Sequence, residues 1–267
     1  MATKRLDIPK EQLIKNIREI IARGWIHTKR KPNDGAVGNT LEDLLEIPEN
    51  NLAIANTLDW ELKAQRTRTT SLTTLFHLDP QPRKPTIVAQ HLLPNYGWPH
   101  QKAGTKYPKT EMSFRGTIPG DQYTDRGFKI MLNSIDARVE LEFDSTKVDP
   151  RHTAWLKKVI SKVGRGAINP TPYWEFDELH QKCVGKIKNT VFVLGDSRII
   201  DGQEEFKYEK IELFEDFAFN RFLRAILHGE LFVDFDARTG HNHGTKFRIR
   251  RADWKVLFSK ITDVTHA

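Results

Sequence analysis

The chain alternates most strictly at Thr57-Leu58-Asp59-Trp60-Glu61-Leu62-Lys63, with Leu58, Trp60 and Leu62 on one side and Asp59, Glu61 and Lys63 on the other. A period of two belongs to a strand with one buried face. Elsewhere a helical period takes over. Leu13, Ile14, Ile17, Ile20 and Ile21 form one stripe between Pro9 and Ala22, with Pro9 suited to the first turn and Gly24 to the exit. A short helix is predicted to open at Thr40 with Asn39 as its N-cap. His152 to Val163 is amphipathic and closes at Gly164, and Glu215 to Leu227 reads as a long helix turning Phe217, Phe219, Phe222, Leu223 and Ile226 inward. Further strands are predicted at Leu75 to His77, Arg138 to Phe143, Thr190 to Leu194, Tyr208 to Leu213, Leu231 to Phe235 and Lys246 to Arg250.

Composition changes this picture little. The 267 residues suffice for one large domain or two lobes, and 38% hydrophobic with 29% charged residues is a globular balance. Lys+Arg number 42 against 35 for Asp+Glu, a net charge of +7 that favours a polyanionic partner. Cys183 is the only cysteine, which excludes an internal disulfide and a cysteine metal cluster and fits a reducing, cytoplasmic setting. The basic start, Met1 to Arg5, runs into Leu6 to Glu11, which is no secretory h-region. No apolar run approaches the roughly 20 residues that span a bilayer, so no membrane partner is expected.

The polar face of the alternating segment supports two readings. Two carboxylates beside a lysine suit phosphodiester hydrolysis: hard oxygen ligands hold magnesium, the metal polarises the phosphoryl oxygen, and the lysine orients water or offsets charge. Taken alone, the same three residues describe a solvated face of paired charges, which is common in antiparallel sheets. Glu42 is similarly divided, because Asn39 followed by Glu42 has the spacing of a capping box.

Candidate DNA contacts fall in several places. Arg66 and Arg68 stand among threonines and a serine, the usual donors to phosphate oxygens. Pro80 to Lys109 reads as an extended basic-aromatic loop with His91, Tyr96, Trp98, His100, Lys102, Lys106 and Lys109, suited to a DNA groove or to simple connection. Asp236 to Gly244 carries Arg238, His241 and His243; no third or fourth ligand stands at zinc spacing, and these side chains suit base edges better. Arg248 and Arg250 share one strand face, as base readers or as solvated charges.

The run Asp34 to Leu45, then Pro48 to Asn51, then Trp60 to Arg66 resembles the MvaI/BcnI group of restriction endonucleases, related to the mismatch-repair nicking enzyme MutH within the PD-(D/E)XK nucleases. Thr74 to His77 and Gly240 to Arg250 resemble further blocks of the group. The resemblance implies an α/β (α+β) fold: a mixed central sheet flanked by helices, in two lobes around a DNA-binding cleft. The catalytic lobe would centre on 10–80 and the recognition lobe lie mainly in 85–260. It implies a type II endonuclease that needs Mg2+ and acts as a monomer on double-stranded DNA at a short GC-rich pseudo-palindrome of CC-x-GG type. A cognate DNA methyltransferase would accompany it. Carried over, Glu61 is a metal ligand, Lys63 the lysine beside the attacking water, Glu42 a supporting carboxylate, and the Leu62 carbonyl a further ligand. His77, His241 and His243 would face the central pair, and Arg238, Arg248 and Arg250 the guanines.

One position departs from the group. Where an aspartate is expected before the Glu-x-Lys pair, this chain has Ala55-Asn56. Three accounts stay open: an introduced Asp→Asn replacement, an active protein in which Asp59 substitutes, or a protein that no longer cuts. A MutH-like nickase and a non-catalytic DNA-binding module are the alternatives to the restriction enzyme.

Overall fold

The computed structural model describes residues 8–47, 60–84 and 86–266. Asn56, Leu58 and Asp59 lie outside them. By contacts the chain divides into two units, one of 1–73, 182–221 and 254–267, the other of 74–181 and 222–253.

The first unit is built on a mixed sheet. The Glu61–Arg66 strand runs parallel to Thr190–Ile200, which pairs antiparallel with Gln203–Phe217; that strand in turn pairs with Ile26–His27 and Phe258–Asp263. Two helices, Lys10–Ala22 and Ala36–Leu44, supply the cover of one face. Leu13, Ile17, Ile20, Val37 and Leu41 meet Trp60, Leu62, Val191, Val193, Phe206 and Tyr208 in one core cluster. The predicted stripe and the predicted apolar strand face thus bury each other, at about 1.5–3 kcal/mol for each large side chain. In register, Leu62 lies beside Val191, whereas Glu61 and Lys63 lie beside Thr190 and Phe192 on the other face. There Phe192, Phe214, Trp254 and Phe258 pack as an aromatic group.

The second unit holds a sheet ordered Thr73–His77, Lys246–Ile249, Leu231–Arg238, Met112–Ile118 and Trp98–Pro99, and a three-stranded sheet of Arg126–Asn133, Arg138–Val148 and Tyr173–Glu175. Among the described residues, no helix is long and apolar enough to cross a membrane.

Three sequence expectations are corrected. The second helix begins at Ala36, so Asn39 is internal and no capping box forms with Glu42. Asn33 turns the chain instead, its Oδ1 accepting from Gly35 N–H at 2.8 Å. Pro80 to Lys109 is not extended throughout: Val88–Leu92 is π-helical and Leu93–Tyr96 α-helical, burying Val88, Leu92, Leu93 and Tyr96. Glu215 to Phe217 stay in the strand, paired with Lys260 and Phe258, and the helix is confined to Phe219–Leu227.

Candidate active site

The Glu61–Arg66 strand sets the geometry. Glu61 N–H donates to the Asn189 carbonyl at 2.9 Å and Thr67 N–H to the Gly195 carbonyl at 2.8 Å. Parallel ladders use alternate residues, so Glu61, Lys63, Gln65 and Thr67 bond to Thr190–Ile200. The Leu62 carbonyl is turned to the other side, where no described strand pairs.

Glu61 and Lys63 project from the same face. Lys63 Nζ donates to Glu61 Oε1 at 2.8 Å, and the Glu61 side chain is only 5% exposed. The solvated-face reading therefore fails at Glu61. A second ammonium, Lys186 in the last turn of the Phe176–Ile187 helix, stands 4.0 Å from the same oxygen. Glu61 Oε2 is buried with no hydrogen-bond partner among the described residues, as is Thr190 Oγ1 on the adjacent strand. A buried carboxylate oxygen without a protein partner is costly, and a water, an ion or a catalytic task accounts for such an atom.

Burial holds the Lys186 ammonium below the ordinary lysine range. Glu61 opposes that shift, Lys63 and Lys182 add to it, and Glu42 opposes it again. Glu42, on the Ala36–Leu44 helix, thus bears weakly on the Lys186 charge. Lys186 was missed by sequence reasoning. Leu179, Cys183 and Ile187, all buried at four-residue spacing, were the signal for its helix.

A hard divalent cation fits the donors present, a buried carboxylate oxygen and a backbone carbonyl released from the ladder. Among the described residues no three His, Cys, Asp or Glu side chains converge on a metal position. The second acid expected near 56 or 59 falls outside them.

The remaining predicted residues separate. Arg66 is engaged within the protein: Nη2 bonds the Glu204 carboxylate at 2.6 Å and the Asn33 carbonyl at 2.9 Å, and the guanidinium lies over the Phe206 ring. It fastens the loop ahead of the Ala36–Leu44 helix to the sheet. Arg68 is exposed.

The others gather in the second unit. His77 is exposed at the end of its strand, and its ring would lie 3.7 Å from a side chain added at Gly244. His241 and His243 are exposed with ring centroids 4.2 Å apart. Arg238 bonds Glu111 at 3.0 Å and lies over the Tyr107 ring. Arg248 bonds Asp234 at 2.9 Å, beside Arg115 and Lys246, which both pair with Asp236. Arg250 lies just beyond its strand, over the Phe232 ring. Arginines held by partners have their forks fixed in advance, which suits directional contacts.

A family model for the MvaI/BcnI restriction endonuclease family matches residues 14–258. Among solved structures, MvaI with its cognate DNA substrate is 26% identical, with a TM-score of 0.76 over 96% of this chain and 99% of that one. MvaI without DNA is 23% identical, with a TM-score of 0.52 over 99% and 100%. No curated protein matches the chain. The α+β fold expected from the sequence is that of restriction endonuclease structures, and the expected resemblance to the MvaI/BcnI group is borne out. The chain belongs to the MvaI/BcnI restriction endonuclease family.

Proposed function

We propose that the chain is a type II restriction endonuclease that hydrolyses phosphodiester bonds of double-stranded DNA with magnesium at the Glu61–Lys63 centre. One observation carries this reading: a buried glutamate with one oxygen held by a lysine and the other lacking any described partner. Membership of a family of restriction endonucleases supports it, as does the similar MvaI enzyme seen with its cognate DNA.

A bound divalent cation supplies Lewis-acid stabilisation of the phosphoryl oxygen and a more acidic water. Glu61 Oε2 and the Leu62 carbonyl are the residues here that would hold it, with residue 56 or 59 completing the set. Lys63 has one N–H committed to Glu61, leaving two donors to orient the attacking water and steady a phosphate oxygen. Lys186 and Glu42 set the charge around them. The water oxygen joins phosphorus and loses a proton to solvent, the bond to the leaving sugar oxygen breaks, and that oxygen takes up a proton from solvent water.

Specificity belongs to the second unit on this reading. Arg238, Arg248 and Arg250 take guanines of a GC-rich, CC-x-GG-like site, the commonest arginine contact in the major groove. His77, His241 and His243 serve the central pair, an imidazole donating from one nitrogen and accepting at the other. Arg68, and the loop that Arg66 holds, serve the phosphates. The enzyme acts as a monomer, one strand at a time, in the cytoplasm beside a cognate methyltransferase.

The test is digestion of a sequenced plasmid in magnesium by this chain and by Asn56→Asp, with mapping of the ends. Discrete ends at one short GC-rich site support the proposal. Cutting only with a partner protein on hemimethylated DNA would favour the MutH-like nickase. Salt-sensitive binding with no cutting by either form would leave a DNA-binding module.

A further inference from the structure

Between the Trp98–Pro99 and Met112–Ile118 strands the chain makes an excursion that the proposed chemistry does not use. Gln101 to Thr110 contains Lys102, Lys106 and Lys109 and no acid. All three lysines are exposed.

The excursion is folded rather than loose. Ala103 N–H donates to the His100 carbonyl at 2.8 Å, Gly104 N–H to Tyr107 O at 2.8 Å, and Tyr107 N–H to Lys102 O at 3.1 Å. His100 is buried at its base, with Nδ1 accepting from Lys102 N–H at 2.9 Å and the ring edge-on to Tyr107. Gly104, at φ +79, makes the tight turn that this closure needs.

The root is fastened to the turn that carries the exposed histidines. Thr239 N–H donates to the Met112 carbonyl at 3.0 Å, and Met112 N–H to Thr239 Oγ1 at 3.0 Å. Arg238 is bonded to Glu111 and covers the Tyr107 ring, so the nearest acid is already neutralised. Three exposed lysines thus stand on a hydrogen-bonded loop whose root is fastened to Arg238 and Thr239, the residues that lead into His241 and His243.

We infer that Lys102, Lys106 and Lys109 form a clamp for the DNA phosphate backbone flanking the bases met by the 238–243 turn. The inference rests on the DNA-cutting reading above and adds a surface to it. Ammonium groups act as point charges on phosphates and carry no base information, so the clamp sets affinity and register without setting sequence.

The test uses the full chain with Lys102, Lys106 and Lys109 all changed to Ala. A charge-matched control changes Lys84, Lys157 and Lys158, which are likewise exposed. Anisotropy of a labelled mixed-sequence duplex in calcium is followed between about 50 and 200 mM salt. Each phosphate contact contributes about 0.9 to the slope of log affinity against log salt, so the loop variant should be shallower by about 2–3. The control should move it by less than one contact's worth, and the preference for the mapped site over one-base variants should persist.

An unchanged slope, or an equal change in the control, would overturn the clamp. So would collapse of base preference with the slope intact, which would make the loop a base reader. Failure of the underlying reading looks different: the parent chain would bind no duplex, or would bind it without cutting in magnesium.

Discussion

Replacing Lys63 by methionine removes the ammonium 2.8 Å from a carboxylate whose side chain is 5% exposed. Removing one partner of a buried pair costs about 3–5 kcal/mol, and a hydrogen bond to a charged group is worth about 1.5–3. Lys63 is itself 19% exposed and Lys186 stays 4.0 Å away, so the lower range applies, about 2–3 kcal/mol. At about 2–4 °C per kcal/mol for a chain of this size, the melting temperature should fall by about 4–12 °C. Thermal unfolding of the parent, Lys63→Met, Glu61→Gln and the double variant closes a cycle that isolates the pair. The double variant should be more stable than the two single losses add up to, by at least about 1 kcal/mol. A coupling below about 0.5 kcal/mol, the range of an exposed pair, would show that Glu61 and Lys63 do not form the buried unit described here.

Burial depresses Lys186, so its charged form weakens the folded state at neutral pH. That cost is relieved as pH rises from the lowered value toward 10.5, where the unfolded chain binds more protons. Lys186→Met should therefore be at least as stable at pH 7 and lose this alkaline rise in denaturant titrations; marked destabilisation would mean that attraction to Glu61 and Glu42 outweighs burial. Arg66→Ala breaks the bond to Glu204, whose side chain is 9% exposed, and should cost about 2–4 kcal/mol and open the loop ahead of the Ala36–Leu44 helix to proteolysis. An unchanged cleavage pattern would refute the fastening role. Arg248→Ala should cost about 1–3 kcal/mol of discrimination at one base position in competition binding, whereas uniform weakening over all sequences would mark a phosphate contact.

What could be read from the sequence was what is local. The alternation through Trp60, Glu61, Leu62 and Lys63 needs only the two-residue period of a strand, and it put the acid and the amine on one face before any partner strand was known. The stripe from Leu13 to Ile20 was equally plain. Lys186 was hidden because its position depends on parallel pairing of Glu61–Arg66 with Thr190–Ile200, which joins distant segments. The helical turns from Val88 to Tyr96 were obscured by prolines on both sides, although Val88, Leu92, Leu93 and Tyr96 have helical spacing. Asn39 looked like a cap because nothing local revealed that Asn33 already turned the chain. The internal partners of Arg66 and Arg238 were likewise invisible, since Glu204 and Glu111 lie far away in sequence.

Anomalous diffraction from Asn56→Asp crystals soaked in manganese tests the Glu61 centre most directly. A peak at coordination distance from Glu61 Oε2, about 2.0–2.2 Å by analogy with magnesium, with the Leu62 carbonyl close by, is the predicted result. No density there, or a peak only between His241 and His243, would contradict it.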